Sequence, residues 1–241
     1  MTVEEYLAAE RASDVRHEYY AGVVRPMPSD AQSEPPRMTA AVKRTTLDEY
    51  LAAERASDIR HEYYAGVVTA MAGASFRHNL ITGNIVGECR RELGDRRCFV
   101  LPSDMRVRTR STLFAYPDVV IVCGTPEFEG DREDTLLNPT VVIEVLSEST
   151  EAYDRGDKFA HYRSIASLTE YVLVAQDRMR VEHFVRQPDG RWLFSESSGP
   201  EAAIAFPALD VSLPLAGIYA NVEFPPQPPL LPGGPEPLPA D

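Results

Sequence analysis

Apolar and polar positions run in blocks whose period changes along the chain. LDEYLAAERA at 47–56 has the spacing of a short helix, with Thr46 placed as its N-cap. HEYYAGVVTAM at 61–71 is rich in strand formers and reads as a hairpin bending at Ala65 and Gly66. Between 76 and 93, Leu80, Ile81, Ile85, Cys89 and Leu93 recur at helical spacing, and arginines gather near the C-terminal end, where the helix dipole favours them. Strand-like runs follow at 97–109, 114–124 and 140–147, the last two almost continuously apolar, as strands buried on both faces are. A helix at 151–165 precedes strands at 169–176, 179–187 and 191–197, with Pro188, Asp189 and Gly190 forming a turn. This order predicts an α/β fold, a mixed β-sheet flanked by helices.

The opening of this pattern occurs twice. TVEEYLAAERASDVRHEYYAGVV at 2–24 returns as TLDEYLAAERASDIRHEYYAGVV at 46–68. Stacked repeats generally need three or more units, so two copies do not make a repeat array. Only the second copy runs on into the helix and strands of the domain. The expected organisation is therefore a partial duplicate at 1–24, a linker at 25–45 with four prolines between 25 and 37, a main domain at 46–224, and an extended tail at 225–241 with eight prolines. The duplicate either stays loose or exchanges into a neighbouring molecule, which leaves a homodimer open.

Composition narrows the functional classes. The 241 residues, 44% of them hydrophobic, suffice for one sizeable core, and no apolar run is long enough to span a bilayer. The acidic N-terminus carries no export pattern, and Cys89, Cys98 and Cys123 form an odd set without metal-ligand spacing. Together these predict a cytoplasmic protein with reduced thiols. A net charge of −13 argues against a strong, sequence-independent grip on phosphates, though not against a local basic groove. Among 24 basic residues only Lys43 and Lys158 are lysines.

Two carboxylates interrupt the most apolar strands, Asp118 in YPDVVIV and Glu144 in VVIEVLS. Burying either as an ion requires a partner. A core arginine or a solvent-open strand end would serve each alone. On neighbouring strands the pair could instead hold Mg²⁺ or Mn²⁺, which bind through oxygen ligands and polarise phosphate oxygens. On the helix that follows, Asp154, Lys158 and Tyr162 share a face at i, i+4 spacing. Lys158 is there either for a surface salt bridge to Asp154 or to stabilise charge developing on a phosphoryl group.

The succession Pro117-Asp118, Glu144-Val145-Leu146-Ser147, DRGDKFAHY at 154–162 and TEYVLV at 169–174 resembles the Uma-two family of restriction endonucleases, a branch of the PD-(D/E)XK nuclease superfamily. The likeness covers roughly 46–200 and includes the TLDEYL opening, the HEYYAG hairpin and the SFRH helix start. It implies a restriction-endonuclease-like core and a Mg²⁺-dependent (or Mn²⁺-dependent) phosphodiesterase. Asp118 and Glu144 would be the metal ligands, and Lys158 would stand in for the strand lysine whose usual place is taken by Leu146. Glu62 matches the hairpin glutamate of the family, although Ala65 replaces an aspartate there. His78 matches a helix-start histidine, with a role near phosphate or a plain helix-start hydrogen bond. Asp104 reads as a turn residue, Glu170 and Tyr171 as sheet packing, and His17, His61, His161 and His183 as structural or surface residues.

The resulting expectation is a metal-dependent endonuclease acting on DNA, with Asp118, Glu144 and Lys158 catalytic and Glu62 and His78 as contributors. Two rivals remain: a catalytically silent module that binds nucleic acid or a protein through the same cleft, and a regulatory dimer module using the Pro-rich tail as a ligand.

Overall fold

A computed structural model describes residues 17–20, 23–26, 44–71 and 73–226, in two units, Met1–Lys43 and Arg44–Asp241. In the first unit, strands β1 (His17–Tyr20) and β2 (Val23–Pro26) form an antiparallel hairpin. Arg25 and Pro26, expected to begin the linker, thus extend the hairpin. The rest of the expected linker to Lys43, the first copy before His17 and the tail from 227 lie outside the described residues.

The second unit begins with helix α1 (Leu47–Arg55), which Thr46 and Glu49 close with a reciprocal capping box. Strands β3 (His61–Tyr64) and β4 (Val67–Ala70) follow as the expected hairpin. Ala65 and Gly66 both take positive φ, at 48° and 87°, the turn geometry that matches strand twist. A side chain at Gly66 would meet Arg44 Cβ at 2.5 Å, so glycine is required there for room as well as for conformation. Helix α2 spans Phe76–Leu93, as its periodicity predicts, with Ser75 as its cap.

Two long apolar runs divide where the sequence places proline or a turn. Residues 97–109 separate into β5 (Cys98–Pro102) and β6 (Arg106–Arg108), and 114–124 into β7 (Phe114–Ala115) and β8 (Val119–Cys123), on either side of Pro117. Each run feeds two different sheets. Strand β9 (Thr135–Leu136), which the pattern does not show, joins β4, β3, β7 and β6 in a five-stranded sheet. Strand β10 (Val141–Val145) lies centrally in the other sheet.

The expected helix at 151–165 is three pieces: α3 (Glu151–Tyr153), a π-helical turn (Asp154–Lys158) and α4 (Phe159–Tyr162). Strands β11 (Glu170–Val174), β12 (Arg180–Arg186) and β13 (Trp192–Ser198) complete a six-stranded sheet of order β13-β12-β11-β10-β8-β5. Only β10 and β11 in it are parallel, and the α3–α4 run is their crossover. A last hairpin, β14 (Ala203–Phe206) and β15 (Val211–Pro214), leads into α5 (Leu215–Ile218).

The six-stranded sheet buries both faces. Val119, Ile121, Val141 and Ile143 pack with Ile81, Ile85 and Leu93 of α2. Val120, Val122 and Val142 point the other way and pack with Phe159 and Tyr162. Because side chains alternate along a strand, Glu144 shares the face of Val142, and Asp118, two residues before Val120, shares the face of Val120.

The cysteines depart from expectation. Cys98 and Cys123 are directly opposed on β5 and β8 and form a disulfide, while Cys89 is free and buried. A sequence separation of 25 carries no sign of this pairing, which the strand register creates. The odd count therefore gives no argument for a reducing compartment. Burial pushes the Cys89 thiol up to about 12. Among the described residues no helix is long and apolar enough to cross a membrane.

Candidate active site

The antiparallel register of β8 and β10, with Val119 opposite Ile143, sets Asp118 beside Glu144 at the sheet end. The Asp118 N–H donates to Glu144 Oε2 at 3.4 Å, and the Val145 N–H donates to Asp118 Oδ2 at 2.8 Å. Neither carboxylate is paired with a core arginine. The one buried arginine among the described residues, Arg106, is tied to Asp134, Tyr116 and Thr135.

Lys158 reaches the pair from the π-helical turn. Its Nζ lies 2.9 Å from Glu144 Oε1, 3.3 Å from Asp154 Oδ1 and 3.4 Å from Glu62 Oε1. The ammonium is buried, so the surface salt bridge to Asp154 is only one part of its environment. The wider π-helical turn is a common local feature of functional sites, and here it holds both Asp154 and Lys158 inward. Tyr162, one turn further, donates its hydroxyl to Glu144 Oε1 at 3.2 Å. The stripe read from the sequence therefore closes on Glu144.

The hairpin and α2 supply the remaining groups. Glu62 on β3 approaches through Lys158, and His78 in the first turn of α2 places Nε2 3.2 Å from Asp118 Oδ2. The His78 backbone N–H donates to Ser75 Oγ in the helix cap, so the histidine is both a helix-start residue and a partner of Asp118. All five residues proposed from the sequence meet here. Asp154 and Tyr162 were visible as a stripe but not as site groups; their i, i+4 spacing to Lys158 was the available signal.

The other sequence readings also find places. Asp104 lies in a turn and pairs with Arg60 at the surface. Glu170 and Tyr171 are buried in the sheet, and His61, His161 and His183 bond to Glu54, Ser111 and Glu170 respectively. His17 belongs to the first hairpin, of whose side chains nothing is described.

Charge is unbalanced at this point. Glu62, Asp118, Glu144 and Asp154 face one ammonium and one imidazole. Burial pushes the Glu144 carboxyl well above the ordinary range, and Asp154 and Asp118 add to this while Lys158 opposes it. Burial pulls Lys158 down, but Glu144, Glu62 and Asp154 outweigh it and hold the ammonium protonated. Burial likewise lowers His78, and the Asp118 carboxylate more than offsets it, so His78 sits above its usual value. Asp154 Oδ1 is buried, with the Lys158 ammonium at 3.3 Å as its ion-pair partner.

This donor set fits a hard divalent cation. It offers carboxylate oxygens and an excess of negative charge. Among the described residues no group of three or more acidic, histidine or cysteine side chains is arranged to hold a metal ion. Mg²⁺ does not require such a group, since it usually binds through one or two carboxylates and keeps several waters.

Residues 47–216 match the Uma2 family, whose description is "Putative restriction endonuclease". The chain belongs to this family. Two uncharacterized proteins of Synechocystis are similar to it, one 39% identical over 137 residues (56% of this chain, 77% of the relative). The other is 30% identical over 158 residues (64% of this chain, 80% of the relative). A crystal structure described as a putative nuclease, from Anabaena variabilis, aligns with a TM-score of 0.61 over 73% of this chain and 97% of that one, at 17% identity. The likeness extends to the fold, which is restriction-endonuclease-like, and the family is one of nucleases by description.

Proposed function

We propose that this protein is a metal-dependent endonuclease that hydrolyses phosphodiester bonds in DNA. The observation that carries the reading is the convergence of Asp118, Glu144 and Lys158 at one sheet end, with more carboxylates than counter-charges. Asp118 and Glu144 would hold Mg²⁺ or Mn²⁺. The bound cation supplies Lewis-acid charge to phosphoryl oxygens and eases deprotonation of water.

The chain's own residues do the rest. The Val145 N–H and His78 fix the orientation of Asp118. Tyr162 holds Glu144 Oε1, so that carboxylate cannot swing away from the sheet end. Lys158 carries a compact, buried positive charge that can orient an attacking water or face the charge developing on the phosphate. Glu62 and Asp154 keep the ammonium protonated and aimed.

A nicking assay tests the proposal, on supercoiled and on single-stranded DNA, with Mg²⁺, Mn²⁺ or chelator. Cleavage should need the cation and be lost in Asp118→Asn and Glu144→Gln. Lys158→Arg should lose about a hundredfold or more, because a planar guanidinium does not replace a point-like ammonium. Binding without cleavage would favour the silent module. Its support is the net charge of −13, which disfavours a strong grip on phosphates, and the pairing of Arg60 with Asp104 and of Arg155 with Glu182.

A further inference from the structure

The second copy of the duplicated opening is a docked part. Tyr50 stacks on Tyr63 with ring centroids 4.8 Å apart, and both rings meet Phe114 edge-on. Glu54 accepts hydrogen bonds from the His61 N–H at 3.0 Å and from the Tyr116 hydroxyl at 2.9 Å. Glu62 lies at Lys158, and Tyr64 packs on His161. These contacts define a socket in the rest of the domain, lined by Phe114, Tyr116, Lys158 and His161.

The first copy carries every side chain that fills it. Tyr6, Glu10, His17, Glu18, Tyr19 and Tyr20 stand 44 positions before their counterparts, and the 23-residue segments differ only at three conservative positions (Val3, Glu4 and Val15). Thr2 and Glu5 keep the capping pair of α1. The β1–β2 hairpin also repeats the register of β3–β4: His17 faces Pro26 as His61 faces Ala70, and Tyr20 faces Val23 as Tyr64 faces Val67.

Proline at position 26 is the one change that threatens such a replacement, since it removes a backbone donor. At the matching place the donor is not needed. The Met71 N–H bonds to the Arg60 carbonyl, so in the alternating antiparallel ladder the Ala70 N–H points away from β3. Strand β4 is the sheet edge, so that direction is open.

We infer that residues 2–24 are a built-in replacement for residues 46–68, able to occupy the same socket of their own chain when the second copy is displaced. Occupation would restore the aromatic cluster through Tyr6 and Tyr19 and bring Glu18 to Lys158 in place of Glu62. The displaced second copy would then loop out between the first copy and α2. The entropy of closing such a loop rises only with the logarithm of its length, whereas a second copy of the chain would have to be recruited from solution. In the intact protein the second copy holds the socket, because it alone needs no loop.

Four full-length chains test this: the wild type, Tyr19→Ala, Tyr63→Ala and the double variant, compared by thermal unfolding. Tyr19→Ala should leave the midpoint unchanged. The double variant should fall by about 10 °C, the scale of emptying a buried aromatic site in a domain of this size. Tyr63→Ala alone should fall by less than half as much, because Tyr19 substitutes. A Tyr63→Leu and Tyr19→Leu series keeps the comparison readable where the alanine chains do not fold. Equal losses with and without Tyr19 overturn the inference. Protection that increases over a roughly fiftyfold rise in protein concentration would assign the occupant to a second molecule and overturn the intramolecular route.

Discussion

Glu144 on β10 and Glu170 on β11 are both buried carboxylates in adjacent parallel strands, yet they have opposite surroundings. Glu170 lies on the α2 face, where His183 Nε2 meets Oε2 at 2.7 Å and the Ala208 N–H donates to Oε1 at 2.6 Å. Each oxygen has its partner, and among the described residues neither Glu170 nor His183 shares its ion pair with a second carboxylate. Glu144, on the face of α3 and α4, also has partners for both oxygens, but it shares Lys158 with Glu62 and Asp154 and sits beside Asp118. Burial alone therefore does not mark a site. An excess of like charge does, because folding gains nothing from it and a bound cation would relieve it.

The comparison can be broken most directly at the lysine. Lys158→Met leaves several buried carboxylates without their shared cation and should cost about 3–5 kcal/mol, the scale of breaking a buried pair. Added Mn²⁺ should recover part of the lost melting temperature, and chelator should remove the gain. A variant that melts like the wild type, indifferent to Mn²⁺, would show that the cluster is not electrostatically strained.

The matching change on the other face is His183→Leu. It strands one oxygen of Glu170 and should cost about 2 kcal/mol, as an unsatisfied buried acceptor does. Mn²⁺ should give no recovery here, and the Mn²⁺ affinity of the folded protein should equal that of the wild type by calorimetry. Metal-dependent rescue of this variant would erase the distinction between the two carboxylates.

Neutralising Glu144 should affect stability less than either. Glu144→Gln removes a buried charge together with its repulsion from Asp118 and Asp154, so unfolding should shift by no more than about 1 kcal/mol while Mn²⁺ affinity drops at least tenfold. Denaturation and calorimetry on one preparation separate the two effects. Unchanged affinity would remove Glu144 from the metal site.

The smallest expected effect lies at a surface-facing ion pair. Burial raises the Asp134 carboxyl, but Arg55, Arg106 and Thr135 outweigh it and hold it below the usual range. A depressed pKa stabilises the fold above the unfolded value, about 4, and that contribution disappears as pH falls through the folded value. The melting difference between wild type and Asp134→Asn should therefore be present at neutral pH and vanish in acid. A difference independent of pH would assign the effect to hydrogen bonding alone.

Much of this arrangement can be read along the chain. The period of α2, the capping pair of α1 and the turn at Ala65 and Gly66 are local, because each depends on side chains and backbone preferences a few residues apart. The carboxylates stand out as charges inside apolar runs, and Lys158 as a rare lysine on a stripe with Asp154 and Tyr162. The family motifs join these into one candidate site.

The tertiary structure decides what depends on register and enclosure. Only the antiparallel pairing of β5 and β8 sets Cys98 against Cys123, and only that of β8 and β10 sets Asp118 beside Glu144. The division of 97–109 and 114–124 between two sheets brings Glu62 to Lys158, a contact across 96 positions that no local pattern encodes. The π-helical turn departs from the α spacing that the stripe suggests, yet still turns Asp154 and Lys158 inward. Periodicity identifies which residues face a core; the number of charges meeting at one point is fixed when distant strands pair and exclude water.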